Sequence, residues 1–276
     1  ASGNYIFFLD SDDKLAGPHV LRLLLEKALH SKADITMGSF QRFGADRVSG
    51  VNHHHLKSGS YSRTVDFRFK GFVMYGHLSY DWGKLYRKSF LDQNRITFSE
   101  YPYAEDKLFN MQCYVCDAKY VFLQKQGYVY RRNSESISWK YHPNSAKSWM
   151  KIAYTIKEWI EEKQKDMDMY KGLVQYTLFF ASFFDGKMEY IQHNNSLWAV
   201  RKVLKVYGQE PLGKESFLEL SQKRKLSELK QPLWKIIIRG FALGMKHQWY
   251  LFLSVGIKLV VDLKIDERLS DTGLRE

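Results

Sequence analysis

The chain has 276 residues, 45% of them hydrophobic and 26% charged, enough to bury a sizeable core as one large domain or two modest ones. A formal net charge of +12 points to anionic partners (phosphorylated substrate, anionic lipid, nucleic acid) without choosing among them. Two cysteines in 276 residues exclude a disulfide framework, and no stretch reads as a signal peptide.

Taken in order, Tyr5-Ile-Phe-Phe-Leu runs straight into Asp10-Ser-Asp-Asp13. A short apolar run of this kind predicts a parallel strand buried on both faces, with the acids at its carboxyl edge, where open α/β sheets bind ligands. Pro18 fits a first helical position, and Leu21, Leu24, Leu25 and Ala28 follow at helical spacing. Ala33 to Phe40 reads as a second strand, completing a βαβ unit and a parallel sheet. Residues 44–63 read as a polar loop with His53, His54 and His55 in solvent, and 64–76 as a short aromatic helix. Tyr80 to Lys88 leads into a short helix ending near Gln93, and Ile96-Thr-Phe reads as a brief strand. A helix opens at Glu105-Asp106, where the macrodipole favours negative charge, and runs to about Cys116. Cys113 and Cys116 lack a second pair and read as a helix face rather than a metal site. Lys119–Leu123 and Gly127–Arg131 read as two strands, and a loop through His142 closes this part.

Beyond about Asn144 the period becomes 3.6, predicting helices near 145–165, 168–191, 195–207 and 215–229. From Pro232 to Leu263, Trp234, Ile237, Ile238, Phe241, Met245, Trp249 and Phe252 form one stripe broken by Lys235, Arg239, Lys246 and Lys258. Its uncharged run, Gln248 to Ile257, falls far short of the roughly 20 residues that span a bilayer. Two readings stand: a basic amphipathic helix on an anionic membrane surface, or a helix packed on the first domain with its lysines in water.

Asp10 and Asp12 are two apart beyond a strand end, so both carboxylates can face one cation. Hard Mg²⁺ or Mn²⁺ takes oxygen ligands and shares them with substrate phosphates, which predicts a metal–diphosphate site. An acidic turn after a core strand is the plainer alternative. Three features in order sharpen the choice: the strand ending Asp-Ser-Asp-Asp, then Trp82-Gly-Lys-Leu-Tyr-Arg-Lys88, then Glu105-Asp106 opening a helix. Together with Tyr128-Val-Tyr-Arg131 and Ser136-Ile-Ser138, these segments resemble family 2 glycosyltransferases of the GT-A fold, especially bacterial enzymes of capsule, exopolysaccharide and teichoic-acid synthesis. The resemblance covers about residues 1–142.

The resemblance implies a Rossmann-like α/β domain, a mixed sheet with helices on both faces, over 1–142, followed by a helical region over 143–276. The family's opening strands, which hold the nucleotide base and ribose, have no counterpart, so the expectation is a GT-A domain lacking its first strands. It implies a hexosyltransferase with Mn²⁺ or Mg²⁺ as cofactor, a nucleotide-sugar donor (a UDP-sugar foremost), and a glycan or lipid-linked acceptor. It implies inversion by direct attack of an acceptor hydroxyl. Asp106 is the expected general base and Glu105 its neighbour orienting the acceptor. Asp10, Asp12 and His142 are the expected metal ligands. Asp10, Lys84, Arg131 and Arg132 are expected at the donor diphosphate, and Trp82 against a sugar face. The expected location is the cytoplasm, with peripheral contact at the cytoplasmic membrane face following only on the first reading of the 232–263 stripe. A haloacid-dehalogenase-like phosphohydrolase also ends a strand in Asp-x-Asp, but wants Thr or Val where Lys14 stands. A non-catalytic basic binding module or transferase remnant is the other rival; no zinc-finger or RNA-recognition signature supports a binding module, and no specific nucleic acid is expected.

Overall fold

The computed structural model describes residues 2–44, 48–101, 103–131 and 141–265. Its strands are β1 Tyr5–Phe7, β2 Lys14–Leu15, β3 Ile35–Phe43, β4 Gly59–Tyr61, β5 Lys84–Arg87 and β6 Tyr120–Arg131. Between them run α1 Val20–Ser31, α2 Val65–Phe69 with a π-helical continuation Lys70–Met74, α3 Lys88–Asn94 and α4 Glu105–Val115. The rest is helical: α5 Ser145–Glu162, α6 Met167–Gln192, α7 Leu197–Gln209, α8 Pro211–Leu220, a 3₁₀ turn Lys223–Leu226, α9 Pro232–Lys246 and α10 Tyr250–Asp262.

The sheet order is β1-β5-β3-β6-β2, with β4 also paired to β6. β3 and β6 are parallel, whereas β5 runs antiparallel to both β1 and β3. The sheet is therefore mixed, as the resemblance implied, and not the parallel sheet predicted from the first βαβ unit. β1 lies at an edge and its residues are half-buried, which corrects the prediction of a strand buried on both faces. β3 carries the buried load instead: Ile35 to Phe40 are all buried. β3 and β6 pair with a register shift at Gly38 and Ser39. A Cβ on Gly38 would lie 3.5 Å from the Gly127 Cα, so two facing glycines let the backbones approach there. That irregularity lets one strand replace the two predicted over 119–131.

Other differences have local causes. Among the described residues, Ile96–Phe98 pairs with no strand. His54 is 3% exposed, not solvated: its ring packs on Phe40 and Tyr80, and the Tyr80 hydroxyl lies 3.0 Å from its Nε2. Burial drives its pKa down to about 3, so it is neutral inside the protein. The fourth predicted helix starts earlier, at Pro211, because proline fits the first helical turn. The 232–263 stripe is two helices, since Gln248 is left-handed (φ 58°) and breaks the run. The stripe packs inward on α9, with Ile238, Phe241 and Met245 buried.

One buried core runs through both the mixed and the helical parts, from Ile35 to Ile257. Its contacts across the 142/143 boundary are specific. The Lys107 ammonium lies 4.1 Å from the Phe180 ring centroid and 5.1 Å from that of Trp149. Asp117 accepts hydrogen bonds from Arg63, Lys165 and the Tyr170 hydroxyl, the last at 2.6 Å. Cys113 and Cys116 are free and buried at the end of α4, as a helix face requires.

Candidate active site

The acid turn crosses one end of the sheet. Leaving β1, the chain turns at Asp10–Asp13, with the Asp13 N–H bonded to the Asp10 carbonyl at 3.1 Å, and joins β6 on the far edge as β2. Two bonds moor it. The Tyr128 hydroxyl accepts from the Asp10 N–H at 3.2 Å, and Asp13 Oδ1 accepts from the Arg131 N–H at 2.6 Å. Asp10 and Asp12 are exposed, while Asp13 Oδ2 is buried without a protein partner. The Asp10 carboxyl is pushed up to about 6, first by partial burial and then by the charges of Asp81, Asp13 and Asp12.

Asp81 was not singled out by sequence. It precedes β5, which runs antiparallel to β1 with Phe7 opposite Leu85, so the start of β5 lies beside the end of β1. The Asp81 carboxyl is raised by burial. It acts on Asp10 and is also the leading charge acting on Asp106. The usable signal was an acid just before the Trp-Gly-Lys segment, at the same sheet end as the acid turn.

Asp106 stands in the first turn of α4, behind Ala104, which is left-handed at φ 59° and ψ 29°. A non-glycine residue held there stores roughly 1 kcal/mol of strain, the kind of cost found where a loop must aim a functional group. The Asp106 Oδ1 accepts from the Lys107 N–H at 2.6 Å. Asn110 donates to the Asp106 carbonyl at 2.9 Å and accepts from the Tyr86 hydroxyl at 2.9 Å; that hydroxyl also lies 3.3 Å from the Asp81 carbonyl. One relay thus ties the start of α4 to the start of β5. Burial, then Asp81, pushes the Asp106 carboxyl up to about 7. Glu105 is half-buried beside it.

Two assignments are corrected. Lys84 was expected at the diphosphate, but it is 2% exposed and donates to the Tyr80 carbonyl beneath the site. Burial pulls its pKa down to about 7 against the charges of Asp81 and Asp106. Trp82 was expected against a sugar, but it is 7% exposed and stacks on Tyr80 (3.7 Å between centroids), Tyr128 (4.8 Å) and Tyr130 (5.3 Å). It buttresses the strand under the acids. Gly83, at φ 70°, turns the chain between these two buried side chains.

Arg131 is exposed, next to the acid turn that its backbone holds. Arg132 and Ser136–Ser138 lie outside the described residues. His142 packs on Tyr103 at 4.7 Å and lines a cleft with Asp185 and Glu189. Among the described residues, no three His, Cys, Asp or Glu side chains form a metal cage, so His142 is not gathered with Asp10 and Asp12 as a ligand set. The donors at the acid turn still suit a hard cation. They are carboxylate oxygens whose mutual repulsion a cation would relieve, with room for the phosphates and waters that Mg²⁺ and Mn²⁺ prefer to share.

This is the fold of GT-A glycosyltransferases. The TarS 1–349 crystal structure from S. aureus in complex with UDP-GlcNAc superposes with a TM-score of 0.65 at 14% identity, covering 96% of this chain and 69% of that one. Two curated relatives are glycosyltransferases by sequence. Glycosyltransferase GlyA of Streptococcus pneumoniae serotype 4 is 29% identical over 149 residues, 50% of this chain and 20% of its own. Poly(ribitol-phosphate) beta-glucosyltransferase of Bacillus spizizenii is 28% identical over 151 residues, 52% of this chain and 22% of its own. The chain thus spans about a fifth of the length of each. No family model matches it.

Proposed function

We propose that this chain carries the acidic groups of an inverting, metal-dependent hexosyltransferase site, moving a sugar from a UDP-sugar to a hydroxyl of a glycan or lipid-linked acceptor in the cytoplasm. The observation that carries the reading is the pairing at one sheet end of an exposed Asp-x-Asp turn with a recessed Asp106 whose carboxyl titrates near 7. A base poised near the working pH can take a hydroxyl proton yet exist ionised in useful amount. Supporting evidence is that TarS, of the same fold, has been crystallised with UDP-GlcNAc, and that the sequence relatives are glycosyltransferases.

Asp10 and Asp12 would hold Mn²⁺ or Mg²⁺, which when bound neutralises charge on a leaving diphosphate. Arg131, beside the turn, contributes a guanidinium for the same anion. Asp106 Oδ2 takes the acceptor proton while Oδ1 stays fixed by the Lys107 N–H. Glu105 orients the acceptor from the same helical turn.

The test is equilibrium binding of UDP to the whole chain with and without Mn²⁺, followed by UDP release from UDP-sugars. Metal-dependent binding lost in Asp12→Ala, with binding kept and release lost in Asp106→Asn, is the expected result. Binding that ignores both metal and Asp12→Ala would overturn the assignment.

A further inference from the structure

α10 turns an apolar face to solvent. Leu251 (52% exposed), Phe252 (73%), Val255 (39%), Leu259 (51%) and Leu263 (59%) recur at spacings of three and four, with the opposite face, Tyr250, Leu253 and Ile257, buried. Spacings of this kind put one set of residues on one side of a helix. Ile236 on α9 is 70% exposed, and Trp249 at the turn between the helices is 57% exposed. Large apolar side chains exposed together along one helix face mark a contact site.

The charge beside it identifies the occupant. From Gln222 to Ile265 the chain carries nine Lys or Arg and two acids. On α9, Arg239 and Lys246 are exposed and Lys235 is half-buried along one stripe. Lys235 reaches the Ser227 carbonyl at 3.0 Å and Arg239 the Ser221 carbonyl at 3.1 Å, so this stripe lies against the segment that carries exposed Lys223 and Arg224. The α9 cations and those of the 223–224 segment thus lie together, on and beside the helix that precedes the apolar face of α10 in the hairpin. No helix among the described residues is long and apolar enough to cross a membrane.

We propose that the α9–α10 hairpin docks on an anionic lipid surface, with Phe252, Leu259 and Trp249 entering the headgroup–acyl boundary and the Lys/Arg band meeting lipid phosphates. Apolar side chains, an interfacial Trp and a flanking basic band are what such a surface selects. A second copy of this chain would bring two basic bands together, and like charges oppose that contact. The inference does not depend on the transferase reading.

The test is flotation of the whole chain with vesicles of phosphatidylglycerol and phosphatidylcholine, against vesicles of phosphatidylcholine alone. Binding is expected only to the anionic vesicles. It should fall on the order of tenfold or more in Phe252→Asp/Leu259→Asp, where buried apolar area is lost, and in Lys223→Glu/Lys246→Glu, where attraction is lost. It should also weaken at 0.5 M salt, where screening is short-ranged. All four side chains are exposed, so unchanged thermal melts would separate lost docking from lost folding. No binding to anionic vesicles, or equal binding by Phe252→Asp/Leu259→Asp, would overturn the proposal. So would a concentration-dependent dimer, broken by the same variant, in a protein that ignores vesicles.

Discussion

Asp106→Asn is expected to stabilise the protein at alkaline pH while removing transfer. The folded carboxyl titrates near 7, against an ordinary value of 3.8, because burial and Asp81 oppose its charge. A gap of about three pKa units corresponds to ~4 kcal/mol of differential stability. The sign follows from proton counting. Between those two values the folded chain holds a proton that the unfolded chain has released, so stability falls as pH rises through the interval. Asparagine carries no charge and keeps an oxygen for the Lys107 N–H. Lys84 and Lys107 lose a nearby anion in the variant, which takes back part of the gain. A net gain of roughly 1–3 kcal/mol at pH 8 follows, at about 2–4 °C in melting temperature per kcal/mol for a chain of this size. Thermal melts of both proteins at pH 4.5 and pH 8 measure it: the variant should melt higher at pH 8, and the gap should shrink at pH 4.5. UDP release should fall at least ~100-fold with loss of the proposed base. A variant that melts at or below wild type at pH 8, with a gap independent of pH, would refute the reasoning.

Asp10→Ala and Asp12→Ala should each abolish the Mn²⁺ dependence of UDP binding, read by titration calorimetry, while melting close to wild type. Trp82→Ala should cost about 3–5 kcal/mol, as loss of a buried aromatic does, so denaturant melts rather than acceptor KM should register it. Lys84→Met should leave UDP affinity unchanged while Arg131→Ala weakens it, since only the arginine is exposed at the turn. Gly213→Ala should destabilise by about 2–3 kcal/mol, because its new Cβ would fall 1.9 Å from the Tyr207 carbonyl oxygen, far inside contact distance.

The acid turn, α1 and most C-terminal helices were legible because their signals are local: an apolar run meeting carboxylates, or leucines at helical spacing. The edge position of β1 was not, since strand order is a long-range property and Ile6–Leu9 reads alike at an edge or a centre. Polar letters misled in three places. Gln124-Lys125-Gln126 suggested a break in β6, where a bulge keeps the strand continuous. His54 and Lys84 suggested surface, where partners in the fold (Tyr80 for both) make burial tolerable. The end of α9 lacked its usual mark, because a glutamine rather than a glycine takes the left-handed turn at 248. The place of Asp106 in the first turn of a helix was legible from the Glu-Asp pair, but its raised pKa needed Asp81, which only strand pairing brings near.

The sheet order also governs how the site comes into being. The turn bearing Asp10 and Asp12 starts on β1, which needs Tyr5 paired with Arg87, and ends on β2, which needs Leu15 paired with Tyr128. Between these edges lie β5, β3 and β6, where Met37 pairs with Lys84 and Ile35 with Tyr120, partners far apart in the chain. Contacts so distant in sequence form slowly, because the entropy of closing each loop is lost before the pairing compensates it. No early intermediate can therefore present both carboxylates in working geometry. During synthesis the turn leaves the ribosome well before β6 and is completed only after Arg131 has followed. In a refolding experiment, metal-dependent nucleotide binding should return with the slowest phase, making the ligand a reporter of finished topology.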